Sequence, residues 1–355
     1  MDQIILEKWK ETLARRYGSL GQEIVDVSLA NLVNAYNEFI LSQCVDSHFI
    51  PELTRNEGNK LAQRLGEMLL HERVKHAGFT LSSSDEGPDF LAQKDGESVW
   101  LELVTPSVGD DSRIDELHNN VDLLHPSATA SDELRNRTLL RICAGIAAKL
   151  GKFEKYMKKG IVKPAERCVI VVNDALMCPD APFFGVGLCA EQGIGGRSLV
   201  EHATLRFGHA RWIESDTVGK YTLLPTFRDD APNRPERENG GEARKAVPVS
   251  LFSPPDGNAG REIFERAKII SGVMQLTLRE DYGFFMMLRD RAEYEDRIGT
   301  HLLDPGTLVC NLHAKNSLSD KLQFDLTRIL NLEPLSADDA LTLVKRRLDL
   351  LIGKR

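Results

Sequence analysis

Apolar residues recur at helical spacing over much of the first 80 positions of the chain. Residues 1–45 show this period, and a second helix is predicted over residues 56–76. Gly78 is expected to close that helix, since glycine adopts a left-handed cap conformation at little cost. A short strand is predicted over residues 79–82. The apolar positions that carry the two helical patterns are Ile4, Ile5, Trp9, Leu13, Leu29, Leu32, Val33 and Tyr36, followed by Leu61, Leu65, Met68 and Leu69.

Residues 87–106 have the pattern of a β-hairpin. Phe90 and Leu91 precede the turn dipeptide Asp95-Gly96, and an apolar strand follows over residues 99–104. A turn centred on Asp95-Gly96 pairs Asp89 with Glu102. Directly paired residues share one face of a sheet, with Cβ atoms about 4.5–5.5 Å apart.

The longest predicted helix covers residues 130–159 and has a continuous apolar stripe. Residues 168–173 follow as an apolar run without alternation, which indicates a strand covered on both faces. A hairpin, a long helix and a buried strand in this order predict an α/β fold, with a mixed sheet flanked by helices.

The C-terminal half has weaker patterns. Strands are predicted over residues 247–252, 282–288 and 307–312, a helix over 260–273, and a last helix from Ser336. Residues 107–128 and 228–246 are polar or rich in proline and glycine, and are predicted to be loops, the second of them mobile. The predicted organisation is a helical N-terminal segment (1–55), a core (56–175) and an α/β C-terminal extension (176–355).

Composition restricts the classes of protein that fit. The chain has 355 residues, 42% of them hydrophobic, and a net charge of −8, so any nucleic-acid contact requires a local basic face. An N-terminal apolar signal and runs of 18 apolar residues are both missing, which favours a soluble cytoplasmic protein without membrane contact. The six cysteines are scattered without a C-x-x-C pair, as expected in a reducing compartment.

The predicted Asp89–Glu102 pair is the first candidate for chemistry. Two carboxylates on one face repel each other unless a cation neutralises them, and Glu102 lies inside an apolar run where an unpaired charge is costly. A hard divalent cation such as Mg²⁺ or Mn²⁺ would satisfy both. A surface hairpin with two solvated acids is the alternative. Glu67, with Glu72 as its competitor, is a further candidate ligand on the preceding helix.

Basic residues accompany the apolar stripe of the long helix. Lys149 falls at the border of the apolar face, while Arg141, Lys152 and Lys159 cluster further out. They predict either a solvated basic face or an edge that faces nucleic-acid phosphates, with Lys149 directed toward the hairpin.

A helix with an acid, Pro-Asp on a hairpin, Glu-x-hydrophobic, a long helix and a buried strand together resemble the PD-(D/E)XK nuclease superfamily, over roughly residues 56–175. The resemblance implies a restriction-endonuclease-like core in which Asp89 and Glu102 bind magnesium and Glu67 completes the site. The main departure is Val104, which stands where the family has lysine. In some members that lysine has moved to the following helix, and Lys149, or else Lys152, is the candidate here.

The resemblance therefore implies a Mg²⁺- or Mn²⁺-dependent nuclease that hydrolyses phosphodiester bonds, with Asp89, Glu102, Lys149 and Glu67 in the catalytic site. Arg141, Lys152 and Lys159 would contact nucleic acid, with DNA favoured over RNA and a homo-oligomer left open. The alternative is a degenerate nuclease-like fold retained for binding or interaction, including defence against foreign DNA. A defence or effector protein whose C-terminal half recognises a trigger is a third, weaker option.

Overall fold

A computed structural model describes residues 3–42, 44–55, 58–84, 86–109, 128–177, 199–205, 210–214, 221–225, 251–253, 261–284, 286–287, 306–319, 321–322, 324 and 327–329. The helices are α1 (Gln3–Tyr17), α2 (Gln22–Leu41), α3 (Phe49–Arg55), α4 (Gly58–His76), α5 (Ala128–Lys158), α6 (Leu199–Thr204) and α7 (Arg261–Ala267), and a 3₁₀ turn follows α1 at Gly18–Leu20. The strands are β1 (Thr80–Ser82), β2 (Phe90–Lys94), β3 (Glu97–Val104), β4 (Arg167–Asn173), β5 (Ala210–Glu214), β6 (Tyr221–Pro225), β7 (Gly272–Leu276), β8 (Gly306–Cys310) and β9 (Thr327–Ile329).

A seven-stranded mixed sheet organises the fold, in the order β1-β2-β3-β4-β7-β8-β9. Strands β1, β2 and β3 pair antiparallel, β3, β4 and β7 are parallel, β8 is antiparallel to β7, and β9 is parallel to β8. Strands β5 and β6 form a separate antiparallel pair. The predicted α/β class, a mixed sheet flanked by helices, is confirmed.

Each face of the sheet carries its own hydrophobic core. One core joins α1–α4 to the Leu101 and Leu103 side of β3, and it includes Leu13, Phe39 and Met68. The other joins α5, α6 and α7 to the opposite side, where Trp100 and Ile170 lie. Alternation along β3 therefore sends Glu102 toward α5, since it shares a face with Trp100. Residues of the predicted N-terminal segment and C-terminal extension contribute to the same layers as the predicted core.

The hairpin has the predicted turn. Asp95 and Gly96 both have positive φ values, 51° and 77°, as a type I′ turn requires, and Lys94 pairs with Glu97 across them. The last registered pair is Phe90 with Leu101, so the same register continued by one residue places Asp89 opposite Glu102. Gly78 follows α4 with a φ of 85°, in the predicted left-handed cap conformation.

Predictions for the C-terminal half differ from the structure at several places, and strands β5, β6, β7 and β9 were not predicted. Residues 282–284 are helical where a strand was predicted, because this segment packs closely on α2: a Cβ at Gly283 would lie 2.2 Å from that of Asn31. Of the strand predicted over 247–252, residues 251 and 252 form a turn, and residues 247–250 lie outside the described residues. The helix predicted over 260–273 ends at Ala267, and the buried strand β7 begins at Gly272.

Several predictions fall outside the described residues: the loop over 228–246, the helix from Ser336, and most of the loop over 107–128. Among the helices that the structure describes, none combines the length and the apolar character needed to cross a membrane.

Candidate active site

Asp89 lies at the entrance of β2, where its carboxylate binds the neighbouring strand. The backbone amide of Leu103 donates a hydrogen bond of 2.6 Å to Asp89 Oδ2 and so fixes the Asp89 side chain. Asp89 lies one residue before Phe90, whose pairing with Leu101 is the last between the two strands. Burial, together with the charges of Glu102 and Glu67, raises the pKa of Asp89 to about 7, while the charge of Lys149 acts in the opposite direction. Three acids therefore influence one another at this end of the hairpin.

Glu102 is fully buried and accepts hydrogen bonds from two lysines. Lys149 Nζ lies 2.6 Å from Glu102 Oε1, and Lys152 Nζ lies 2.9 Å from the same oxygen. The side chain of Lys149 is 9% exposed and that of Lys152 is 50% exposed. The sequence left open which lysine approaches the acid pair, and the structure brings both to Glu102, with Lys149 enclosed and Lys152 at the surface.

The packing of α5 on β3 explains how Lys149 reaches this acid. Val104 shares a strand face with Glu102 and contacts α5 at Gly145, where an added Cβ would lie 3.2 Å from Val104 Cγ2. Lys149 follows Gly145 by four residues and so lies on the same face of the helix. Val104 thus packs against α5, and α5 supplies the ammonium group of Lys149.

Tyr156 is a member of this cluster that the sequence did not indicate. Its hydroxyl lies 3.5 Å from Glu102 Oε2, and burial together with the charge of Glu102 raises its pKa to about 12. The signal was its spacing, since Tyr156 follows Lys152 by four residues and Lys149 by seven. This spacing is not decisive, because the apolar residues around Tyr156 in the sequence are equally consistent with a core position for the ring.

Glu67, rather than its competitor Glu72, is the acid of α4 that acts on Asp89. Arg64 Nη1 donates a hydrogen bond of 2.7 Å to Glu67 Oε2, and Gln63 Nε2 lies 3.2 Å from Oε1. Burial raises the pKa of Glu67, although the charge of Arg64 opposes this shift. Glu72 instead accepts a hydrogen bond of 2.8 Å from Asn31 on α2.

A cleft of about 260 Å³ opens beside Asp89 and Glu67. Its walls come from the 44–49 segment, α4 and the chain before β2. The polar side chains among its lining residues are Asp46, Ser47, His48, Arg64, Glu67, Ser83, Ser84 and Asp89. Access to Asp89 and Glu67 is therefore through a polar opening between the helical layer and the hairpin.

The three basic residues predicted to contact nucleic acid occupy different surroundings. Arg141 lies beside Gly109, whose Cβ, if present, would be 2.8 Å from Arg141 Nη1. Lys152 is bound to Glu102, and Lys159 is exposed just beyond the end of α5. Only Lys152 is directly connected to the acid pair.

The donor set is suited to a hard cation that takes few protein ligands. Asp89 Oδ1 accepts no hydrogen bond from a described residue, and Glu102 Oε2 has only the distant Tyr156 hydroxyl. Within the described ranges, no group of three or more histidines, cysteines and acids is arranged to hold a metal ion. Mg²⁺ commonly uses one or two carboxylates and completes its shell with water and substrate oxygens, so the pair fits this ion better than zinc.

The chain matches no protein-family model, no curated protein and no solved structure. Interpretation of the site therefore depends on its own geometry and on the motif spacing in the sequence.

Proposed function

We propose that this protein is a metal-dependent nuclease with a restriction-endonuclease-like core, and that it hydrolyses phosphodiester bonds of nucleic acid at the Asp89–Glu102 site. The observation that carries the proposal is the 2.6 Å contact between Lys149 Nζ and Glu102 Oε1. It supports the expectation that a lysine of the long helix replaces the one missing at Val104.

In this proposal Asp89 and Glu102 are the residues that would hold Mg²⁺ or Mn²⁺. When bound, such an ion polarises a phosphate and lowers the pKa of a coordinated water. The Leu103 amide holds Asp89 in place, while Lys152 and Tyr156 orient Glu102. The Lys149 ammonium stabilises negative charge that develops on the phosphate in the transition state. Arg141 and Lys159 extend the contact along the nucleic-acid backbone, with DNA favoured over RNA.

One observation favours a second candidate, a nuclease-like fold that binds nucleic acid or a protein partner without cleaving. Both ammonium groups contact the same carboxylate oxygen of Glu102, so this acid is already neutralised without a cation. Calorimetric Mn²⁺ titration of wild type and Glu102→Gln separates the two. A nuclease requires tighter Mn²⁺ binding by the wild type, whereas a degenerate fold gives the same weak isotherm for both.

Cleavage assays test the first proposal directly. Purified protein is incubated with plasmid, linear duplex DNA, single-stranded DNA and RNA in the presence of Mg²⁺ or Mn²⁺. We expect cleavage of at least one substrate. Asp89→Asn and Lys149→Met should each lower its rate by about 100-fold or more, the size of effect seen when a group that stabilises transition-state charge is removed.

Two matched controls lie on the same helix as Lys149. Glu154→Gln removes an acid paired with Arg266 at 2.7 Å, and Lys155→Met removes an exposed lysine. Both controls should cleave at the wild-type rate. Intact substrate under every condition, or cleavage that persists in Asp89→Asn, would overturn the proposal.

A further inference from the structure

Arg64 occupies a position that the proposed chemistry does not yet explain. Its Nη1 lies 2.7 Å from Glu67 Oε2 and 2.9 Å from Asp46 Oδ2, while its Nε lies 2.7 Å from Glu52 Oε2. One guanidinium thus joins three acids from α4, the 44–48 segment and α3. The third nitrogen, Nη2, donates to no residue that the structure describes.

The same guanidinium lines the cleft that contains Asp89. Arg64 is 12% exposed and shares the cleft with Glu67 and with donors suited to phosphate oxygens, namely Ser47, His48, Ser83 and Ser84. At about 260 Å³, the opening lies just below the usual range of small-ligand pockets, about 300–1,000 Å³. A single phosphate with part of its nucleotide is the kind of group that such a space admits.

Glu67 cannot bind Arg64 and a metal cation equally well at the same time. The hydrogen bond to Arg64 engages Oε2, and the positive charge of Arg64 opposes the approach of a second positive charge. A guanidinium is also suited to phosphate, because its planar donors match two oxygens at once. A phosphate entering the cleft would therefore offer Arg64 an anionic partner to replace Glu67.

Resting on the proposed function, we propose that Arg64 exchanges its bond to Glu67 for a phosphate of the nucleic acid, which releases Glu67 toward the cation at Asp89. Arg64 then has two roles: it contacts the substrate phosphate, and it positions Glu67 according to whether substrate is present.

Reciprocal coupling follows from this exchange. Phosphate binding frees Glu67 and so tightens cation binding, and by linkage the cation tightens phosphate binding by the same factor. Direct attraction between the phosphate and the cation also couples their binding. The exchange therefore accounts for the part of the coupling that disappears when Arg64 or Glu67 is replaced.

Thymidine 5′-monophosphate is a suitable probe, because it carries a phosphate and a nucleotide but has no phosphodiester bond to cleave. The Mn²⁺ dissociation constant is measured by calorimetry with and without saturating probe. In the wild type we expect the probe to tighten Mn²⁺ binding by at least about fivefold, within the usual range of coupling between two sites. Equal Mn²⁺ affinity with and without the probe would overturn the proposal.

Variants on each side of the Arg64–Glu67 contact separate exchange from a structural role. Arg64→Gln should bind Mn²⁺ alone more tightly than wild type and should show a smaller effect of the probe. Glu67→Gln should keep probe binding but show the same reduced coupling. Weaker Mn²⁺ binding in a folded Arg64→Gln protein would contradict the exchange.

Two further variants complete the design. Glu52→Gln removes another Arg64 partner while leaving Glu67 in place, so the wild-type coupling should persist. Arg64→Lys keeps the charge if Arg64→Gln fails to fold; it should weaken probe binding because the planar fork is lost, and unchanged probe affinity would count against the proposal. Mn²⁺ binding that depends on Asp89 but ignores the probe would reject the inference and leave the proposed function standing. Absence of Mn²⁺ binding would reject both.

Discussion

Lys149 Nζ lies 2.6 Å from Oε1 of Glu102, and both side chains are at most 9% exposed. Lys152 contacts the same oxygen from a side chain that is 50% exposed. Breaking a buried ion pair is costly because the remaining charge loses its partner, whereas exposed pairs contribute little.

The two lysines should therefore differ in their effect on stability. We expect Lys149→Met to lower the free energy of unfolding by about 2 kcal/mol, somewhat less than the cost of a fully unpaired buried charge, because Glu102 keeps Lys152 as a partner. Lys152→Met should lower it by less than about 1 kcal/mol, since solvent already screens this ammonium group. Urea unfolding followed by circular dichroism measures both values. Equal losses in the two variants would show that burial does not distinguish the two contacts.

Gly66 is expected to be intolerant of any side chain. A Cβ at this position of α4 would lie 2.8 Å from Asn173 Nδ2 and 3.3 Å from Leu103 Cδ2, at the contact between the helix and the sheet. Asn173 cannot easily move, because its side-chain amide donates a hydrogen bond to the Leu278 carbonyl and accepts one from the Leu278 backbone N–H. We expect Gly66→Ala to lower the free energy of unfolding by about 1–3 kcal/mol, the usual cost of overpacking.

Gly151→Ala on α5 provides the matched control. Apart from the backbone of α5 itself, no atom of the described residues lies within 4 Å of a Cβ at Gly151, so the main change is the better helix propensity of alanine. This variant should raise the free energy of unfolding by about 0.5–1 kcal/mol. The same denaturation assay applies to both. A stabilising effect of Gly66→Ala would mean that α4 lies further from the sheet than observed.

Glu72 should make stability depend on pH. Burial raises the pKa of this carboxyl from 4.5 to about 7. Because the folded chain then holds the proton more tightly than the unfolded chain, the associated stability is fully present below pH 4.5 and is lost as the pH rises through about 7. Glu72 Oε2 is buried and has no hydrogen-bond partner in the part of the chain that the structure describes, which adds to the cost of the charged form.

Glu72→Gln should therefore stabilise the protein at pH 8 by up to about 3 kcal/mol and have little effect near pH 5. Glutamine keeps an oxygen for the Asn31 amide that donates to Glu72 at 2.8 Å. His71, whose pKa burial lowers to about 4, is present in both proteins and cancels in the comparison. A difference that is constant between pH 5 and pH 8 would contradict an ionisation effect.

Local patterns were sufficient where an element depends on its own sequence. The Asp95-Gly96 turn fixed the hairpin register, and counting across it placed Asp89 opposite Glu102. The unbroken apolar run of β4 indicated a strand with both faces covered, and β4 is indeed buried between parallel neighbours. Each of these features follows from period, turn chemistry or run length within about 20 residues.

Prediction failed where packing partners decided the structure. The apolar residues 269–276 fit a helix or a buried strand equally well, and pairing of β7 with both β4 and β8 selected the strand. The aromatic segment after Asp281 has the composition of a strand, yet it forms a helical turn against α2. Tyr156 was missed for the same reason, since its partner Glu102 is identified only by the packing of α5 on the hairpin. Arg64 was also missed, although its contact with Glu67, three residues further along α4, follows from helical spacing.

The sequence by itself determined the hairpin, its paired acids, the long helix with its basic border and the buried strand beside it, because each is encoded by the order of polar and apolar residues. Only the tertiary structure decided that Lys149 and Lys152 both reach Glu102, that Arg64 also joins Glu52 and Asp46, and that the C-terminal half completes the sheet. These relationships join residues from 12 to more than 100 positions apart, and their distances depend on how the layers pack rather than on local conformation.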